Sequence, residues 1–508
     1  MGIDIGTSGS KALLIEAEGG VKASATTEYL MSTPQPLWAE QNPADWWTAT
    51  IASIRTVLRT EGVTPEQVVG IGLTGQMHGL VLLNREGNVL RPCIMWNDQR
   101  TAGQCAEIRA AMGEELLLDL IANPVLPGFT APKIVWVREH EPDIFAQVAQ
   151  VLLPKDYIRY RLTGVYATEV SDASGTALFD VKNRAWSAEM LAVLDIPREW
   201  LPDCLESTVV SARVSESAAA ETGLCAGTPV VGGGGDQAAQ AVGTGIVRPG
   251  VISATLGTSG VVFAATDQFA IEPEGRLHTF CHAIPGQWHW MGVMLSAAGS
   301  FRWFRDTLAQ AEWAEARAQG IDVYDLLTAQ ASEIPAGSDG LVFLPYLSGE
   351  RTPYADPDAR GVYFGLTLRH TKAHMARAVL EGVAYGLRDS LELMNPRGLK
   401  IDQVRASGGG ARSPLWRQIL ADVFDAEIAL VNVTEGAAFG AALLAGVGAG
   451  LYKDVQEACA RTIRVVERVE PGPDAATYAE YYPFYRSLYP ALAPFFKQAT
   501  ILTRQRAV

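Results

Sequence analysis

The chain has 508 residues, more than one hydrophobic core sustains, and fits two substantial domains with additions. At 48% hydrophobic and 19% charged it has an ordinary globular composition, which excludes extensive disorder. A formal net charge of −15 argues against a nucleic-acid or anionic-membrane surface, so a phosphate ligand has to be held by backbone amides, helix N-termini and a cation.

The first predicted strand, Gly2–Ile5, runs into Ile-Gly-Thr-Ser-Gly at Ile5–Gly9. The pentapeptide recurs as Leu-Gly-Thr-Ser-Gly at Leu256–Gly260, about half a chain later and again between strand-like runs. This pattern predicts two related lobes, each with a glycine-rich turn that brings backbone N–H groups close to an anion. Asp4 precedes the first copy and Thr255 the second, so only one lobe offers a carboxylate there.

A loop with Trp38, Glu40, Gln41, Trp46 and Trp47 leads into a helix, and a strand–turn–strand follows at Val68–Asn84 around Gly75-Gln76-Met77-His78-Gly79. Residues 100 to 225 are mostly helical in pattern, with loops at Pro124–Pro132 and Thr163–Ser174. The first lobe closes on Pro229-Val230-Val231, four glycines and Asp236, then a helix of small residues. The second lobe begins near 246 and includes a hairpin at His278–Met294 and helices through Gln330. A loop at Ser348–Asp358 contains Glu350 and Arg351. Ser407-Gly408-Gly409-Gly410 follows a strand, and Ser413 with Pro414 marks a helix start. The run Gly436–Tyr452 is too short and small-residue-rich for a membrane span and predicts a tightly packed helix. An aromatic tail, Tyr478–Phe496, is expected to pack back onto a lobe. Six scattered cysteines favour reduced thiols, and the N-terminus has no signal pattern. The expectation is a soluble cytoplasmic protein without membrane or nucleic-acid partners.

Asp236 stands at a strand-to-helix switch, where ligand crevices open in α/β sheets. It suits a base that takes a hydroxyl proton during phosphoryl transfer, or the N-cap of the next helix. Asp4 suits a Mg²⁺ ligand or a strand-end aspartate bonding its own turn. His78 is a ligand contact or a solvated turn histidine. The Trp38–Trp47 cluster suits sugar stacking or the core. His278, Cys281, His282 and His289 lack tetrahedral spacing, and packing in a hairpin accounts for them better than a metal.

Two long, spaced patterns stand out. Gly128, Thr130, Lys133, Ile134, Trp136, Val137, Glu139 and His140 form the first. Gly361, Tyr363, Gly365, Leu366, His374, Met375, Ala378, Val379, Leu380 and Glu381 form the second. Both resemble patterns of the FGGY carbohydrate kinases. The resemblance spans the chain and implies an α/β actin/sugar-kinase fold, with two ribonuclease-H-like lobes (1–245 and 246–508) around a cleft that holds Mg-ATP and a sugar. It implies that Asp236 is the catalytic base and that Asp4 assists with Mg²⁺, both lying at the metal. It places Thr7, Ser8, Gly9, Lys11, Gly257, Thr258 and Ser259 at the ATP phosphates, and Gly408, Gly409, Gly410 and Ser413 at the adenosine. Gln76-Met77-His78-Gly79 is similar to members acting on D-xylulose, with Met77, His78, Asp236 and Gln237 at the sugar. Members acting on glycerol have Arg-Glu at the Met77-His78 pair and tyrosine at the Gly128 position. Gln237 stands where some relatives have asparagine. The expected activity is ATP-dependent phosphorylation of D-xylulose at O5, in a homodimer. The alternatives are another ketose or polyol, a nucleotide-driven switch, or a sugar sensor.

Overall fold

The computed structural model describes residues 1–505; the last three residues of the expected second lobe lie outside them. Two mixed sheets organise the chain. The first comprises β1 (Gly2–Ile5), β2 (Gly9–Ile15), β3 (Val21–Glu28), β4 (Gly72–Gly75) and β5 (Gly234–Gly235), in the order β5-β4-β1-β2-β3. The second comprises β6 (Gly250–Leu256), β7 (Gly260–Thr266), β8 (His278–Cys281), β9 (Trp288–Met294), β10 (Ile401–Ser407), β11 (Ile428–Val431) and β12 (Val465–Val469). Its order is β8-β9-β7-β6-β10-β11-β12.

The two sheets share a plan. In the first, β1, β2 and β3 form an antiparallel meander, while β4 and β5 add in parallel on the other side of β1. In the second, β6, β7 and β9 form the meander, and β10 and β11 add in parallel beside β6. The repeated pentapeptides are therefore the β1–β2 and β6–β7 turns. Burial follows position. The inner strand β1 is covered along most of its length, whereas the edge strand β3 alternates between half-buried and exposed residues.

Two small-residue helices cross between the sheets. α1 (Asp236–Gly243) follows the first sheet, yet Ala241 packs with Val251 and Phe263 of the second. Helix α2 (Lys372–Met394) belongs to the second core, and α3 (Pro414–Phe424) starts at Ser413, whose side chain accepts from Trp416 N–H. Helix α4 (Gly436–Gly448) comes late in the chain but lies on the first sheet with Leu13, Val231 and Val242. A Cβ at Gly440 would stand 1.8 Å from the Ala239 carbonyl oxygen, so only glycine lets α1 and α4 cross this closely. Among the described residues no helix is long and apolar enough to cross a membrane.

α2 is the spine of the second core. Val379, Leu380, Val383 and Leu387 are fully buried, each contributing about 1.5–3 kcal/mol of apolar burial. Many residues of the second family pattern serve this packing. Glu381 accepts from Arg377 (2.9 Å), Gly337 N–H (3.0 Å) and Ser338 Oγ (2.8 Å). The aromatic tail forms α5 (Ala475–Gln505), where Tyr478 donates to Glu381 and Tyr482 to Asp389, at 2.9 and 2.7 Å.

Candidate active site

Strand register brings the two aspartates to one end of the first sheet. Asp4 is level with Lys11 in β2 and with Thr74 in β4, and Thr74 is level with Gly234 in β5. Two residues on, Asp236 opens α1 as its first helical residue. The N-cap is Gly235, without a side-chain cap bond, so Asp236 does not have the capping role considered for it. The Gln237 amides next along the chain favour its charged form, against the effect of burial. Burial, with the Asp4 charge adding, pushes Asp236 up to about 7. Burial likewise pushes Asp4 up to about 6, with Lys11 pulling down and Glu435 pushing up. Both residues keep part of their surface exposed, so a cation or a substrate can reach them.

The glycine run before Asp236 has a steric cause. Gly233 has φ +73°, and a Cβ there would lie 1.9 Å from the Leu73 carbonyl oxygen.

At the β1–β2 turn the carbonyls are turned to the framework. Gly6 O accepts from Tyr29 Oη (2.5 Å), Thr7 O from Gln41 Nε2 (2.7 Å) and Ser8 O from Tyr29 N–H (3.1 Å). Thr7 Oγ1 accepts from Trp96 Nε1 at 3.1 Å. This leaves the N–H side of Thr7-Ser8-Gly9 open to an anion. Lys11, expected at the phosphates, is ion-paired here with Glu435. In the second turn, Gly257 O and Thr258 O accept from Ala298 and Ala297 N–H, both at 2.9 Å. Thr255 Oγ1 stands 3.0 Å from Ser407 Oγ, a neutral hydroxyl pair where the first lobe has a carboxylate. Gly409, Gly410 and Ser413 line a cavity of about 300 Å³ with Phe301, Tyr324 and Trp416. The Ser413 hydroxyl already accepts from Trp416 N–H at 3.3 Å.

The Met77-His78 turn is not a solvated one. His78 adopts φ +69°, a conformation that costs a non-glycine residue roughly 1–3 kcal/mol. Its carbonyl is held by Thr130 Oγ1 (3.1 Å) and Lys133 Nζ (2.9 Å), and its ring stacks on Phe129 at 4.8 Å. Nδ1 lies 2.6 Å from Gly175 O, so it must donate. Burial holds the imidazole down at about 3, with Lys133 and Arg351 adding to the effect. The ring is therefore neutral, with Nε2 as an acceptor. Met77 is buried against Gly235, beside Asp236.

Other open alternatives resolve simply. Trp46 and Trp47 are core residues. Trp38 lies against Arg100 and Trp136. His278 bonds Asn123 Oδ1 at 3.0 Å and His282 bonds Ile246 O at 2.9 Å. Among the described residues no group of three or more His, Cys, Asp or Glu could hold a metal ion.

Residues 1–243 match the N-terminal domain of the FGGY family of carbohydrate kinases, and residues 252–449 its C-terminal domain. The chain belongs to that family. It is 42% identical over 498 residues to a xylulose kinase of Escherichia coli (strain K12), covering 97% of this chain and 99% of the relative. With a xylulose kinase of Klebsiella pneumoniae it shares 43% identity over 448 residues, covering 88% and 89%. The solved xylulose kinase of Rhodospirillum rubrum matches with a TM-score of 0.91 and 34% identity over 98% of this chain and 99% of that one. The two-lobe α/β fold implied by the resemblance is the fold observed, and the protein is a carbohydrate kinase.

In this kinase the first family pattern has a local purpose, since Thr130 and Lys133 clamp the His78 carbonyl and Lys133 also donates to Gly128 O at 2.7 Å. Sequence reasoning missed Glu435, Gly175 and the residues behind Asp236. Glu435 meets Lys11 across 424 residues and Gly175 meets His78 across 97, so no local pattern marks either.

Proposed function

We propose that the kinase transfers the γ-phosphoryl group of ATP to O5 of D-xylulose, giving D-xylulose 5-phosphate and ADP. The observation that carries this reading is the approach of Asp4 and Asp236 at one strand end, beside the neutral imidazole of His78. The relatives named xylulose kinase supply the choice of sugar.

Residues 1–245 would form the sugar-side lobe and residues 246–508 the nucleotide-side lobe. Asp236, with a pKa of about 7, is poised to take the O5 proton near neutral pH. The O5–Pγ bond forms as the bond from Pγ to the β,γ-bridging oxygen breaks, and ADP leaves with that electron pair. His78 Nε2 accepts from a sugar hydroxyl, Met77 supplies an apolar wall, and Gln237 orients Asp236 while offering its amide oxygen. The amides of Thr7, Ser8 and Gly9, with Lys11, and those of Gly257, Thr258 and Ser259 hold phosphates. Gly408, Gly409, Gly410 and Ser413 border the adenosine. Asp4 and Asp236 suit Mg²⁺, being two partly exposed carboxylates of which one raises the other and which have few donors of their own. Bound there with phosphate oxygens, Mg²⁺ would neutralise charge on the transferring group.

The test is ADP release with D-xylulose, D-ribulose, L-xylulose, glycerol, gluconate and xylitol, with Asp236→Asn beside the wild type. The expected result is a preference for D-xylulose and a loss of about 10²–10⁴ in kcat for the variant. Preference for another sugar overturns the substrate, and a variant that turns over normally overturns the base.

A further inference from the structure

Behind the strand that ends at Asp236 lies a charged cluster that the proposed steps leave unused. Lys155, Asp156, Arg159, Glu169, Ser171 and Asp172 are all fully enclosed. Lys155 Nζ stands 2.7 Å from Asp156 Oδ1, 3.0 Å from Asp172 Oδ2 and 3.5 Å from Glu169 Oε1. Burial pushes Asp172 upward against the pull of Lys155, and with its proton on, two cations face two carboxylates. Such a set adds little net stability, because desolvation offsets much of the attraction. Its position is more telling.

The cluster's spare donors and acceptors converge on the glycine run. Arg159 donates to Val231 O and to Gly232 O, both at 2.5 Å. Ser171 Oγ accepts from Gly235 N–H at 3.0 Å and donates to Glu169 Oε2 at 2.8 Å. Glu169 Oε2 also accepts from Ser207 Oγ at 3.1 Å, and Ser207 O takes Gly233 N–H at 2.8 Å. Among the described residues, strand β5 is the edge of its sheet and pairs only with β4. One side of β5 therefore has a strand ladder, and the other has this cluster.

We propose that Arg159 and Ser171 are positioning residues for phosphoryl transfer, fixing the Val231–Gly235 backbone so that Asp236 is held against the substrate hydroxyl. The inference rests on Asp236 as the base. Four glycines in sequence have the widest backbone freedom available, and a general base misplaced by about 1 Å can lose on the order of 10² in rate. The cluster removes that freedom on the side the sheet leaves open. Arg159 suits the task because its rigid planar fork aims separate N–H groups at two successive carbonyls in a fixed geometry, which a lysine ammonium on a flexible stem does not preset.

The test compares Ser171→Ala, Arg159→Lys and Asp236→Asn in full-length protein, with ATP and sugar varied separately and thermal midpoints recorded. Ser171→Ala removes one hydroxyl and leaves the charges intact, so folding is retained. The expected result is a fall in kcat on the order of 10- to 100-fold for Ser171→Ala, with KM for ATP within about twofold. Arg159→Lys should show the same split. A lowered thermal midpoint with wild-type kcat in both variants overturns the positioning role while Asp236→Asn remains inactive. If Asp236→Asn turns over at the wild-type rate, the base fails and this proposal fails with it.

Discussion

Lys11 in β2 and Glu435, the residue just before α4, form an ion pair beside Asp4 across 424 residues of chain. Their side chains are 31% and 29% exposed, so the pair is weakly held, at about 0–1 kcal/mol. An ammonium held this loosely can be handed to a phosphate. Glu435→Gln should therefore lower KM for ATP by about two- to fivefold, the size of one exposed pair. Lys11→Ala should raise it by on the order of tenfold, as expected for a lost charged hydrogen bond. Initial rates with ATP varied at saturating sugar decide the matter. An unchanged KM in Lys11→Ala would remove Lys11 from the phosphate site.

The rate should titrate with Asp236. As the proposed base Asp236 has to be ionised, and in the free protein it is held up at about 7 by burial and by Asp4. Below that pH, kcat/KM for the sugar should fall about tenfold per unit. Asp4→Asn removes the neighbouring charge and should move the acid limb to lower pH, alongside a reduced maximal rate. A limb that stays in place in Asp4→Asn would show that the two carboxylates are not coupled.

Buried His278 ties stability to pH. Burial holds it down at about 3, with Arg351 and His78 adding, while an unfolded chain takes up this proton near pH 6.5. Between those values the unfolded state binds more protons, so the stability His278 contributes above pH 6.5 is lost as pH falls. The raised carboxylates Asp4, Asp236 and Asp389 act in the opposite direction. Comparing the wild type with His278→Asn cancels them. From urea midpoints, the difference in unfolding free energy should shrink by up to about 1.4 kcal/mol per unit below pH 6.5. A difference independent of pH would contradict this.

Two glycine substitutions should separate the ligand sites. Gly409 has φ −62° and ψ −37°, and a Cβ there meets no atom within 4 Å. Gly409→Ala should leave the thermal midpoint unchanged but intrude on the cavity of about 300 Å³, raising KM for ATP several-fold and leaving the sugar unaffected. At Gly175 a Cβ would come within 2.5 Å of His78 Cε1 and Nδ1. Gly175→Ala should raise KM for the sugar by about tenfold or more, in keeping with the loss of a buried hydrogen bond, with ATP unaffected. Equal effects on both substrates would contradict separate sites.

Much of the architecture was legible locally. The paired pentapeptides marked the two turns, Ser413-Pro414 marked the start of α3, and the small residues after Asp236 and Glu435 marked the crossing helices. The open alternatives were of another kind. Whether Asp236 capped a helix, whether His78 was solvated and whether Trp46 met a sugar all depended on neighbours far along the chain. Lys133 reaches the His78 carbonyl across 55 residues, and Ser171 reaches Gly235 across 64.

By itself, then, the sequence determined which segments turn, which alternate as strands, and that only one lobe carries an aspartate at the turn. These properties depend on φ freedom, capping and side-chain periodicity within a few residues. Only the tertiary structure decided that Asp4 and Asp236 meet at one end of the first sheet, that Lys11 is held by Glu435, and that a buried cluster hydrogen-bonds the open edge of β5. Register between parallel strands, and the groups that cover a sheet edge, are set by packing between distant segments, which no local pattern encodes.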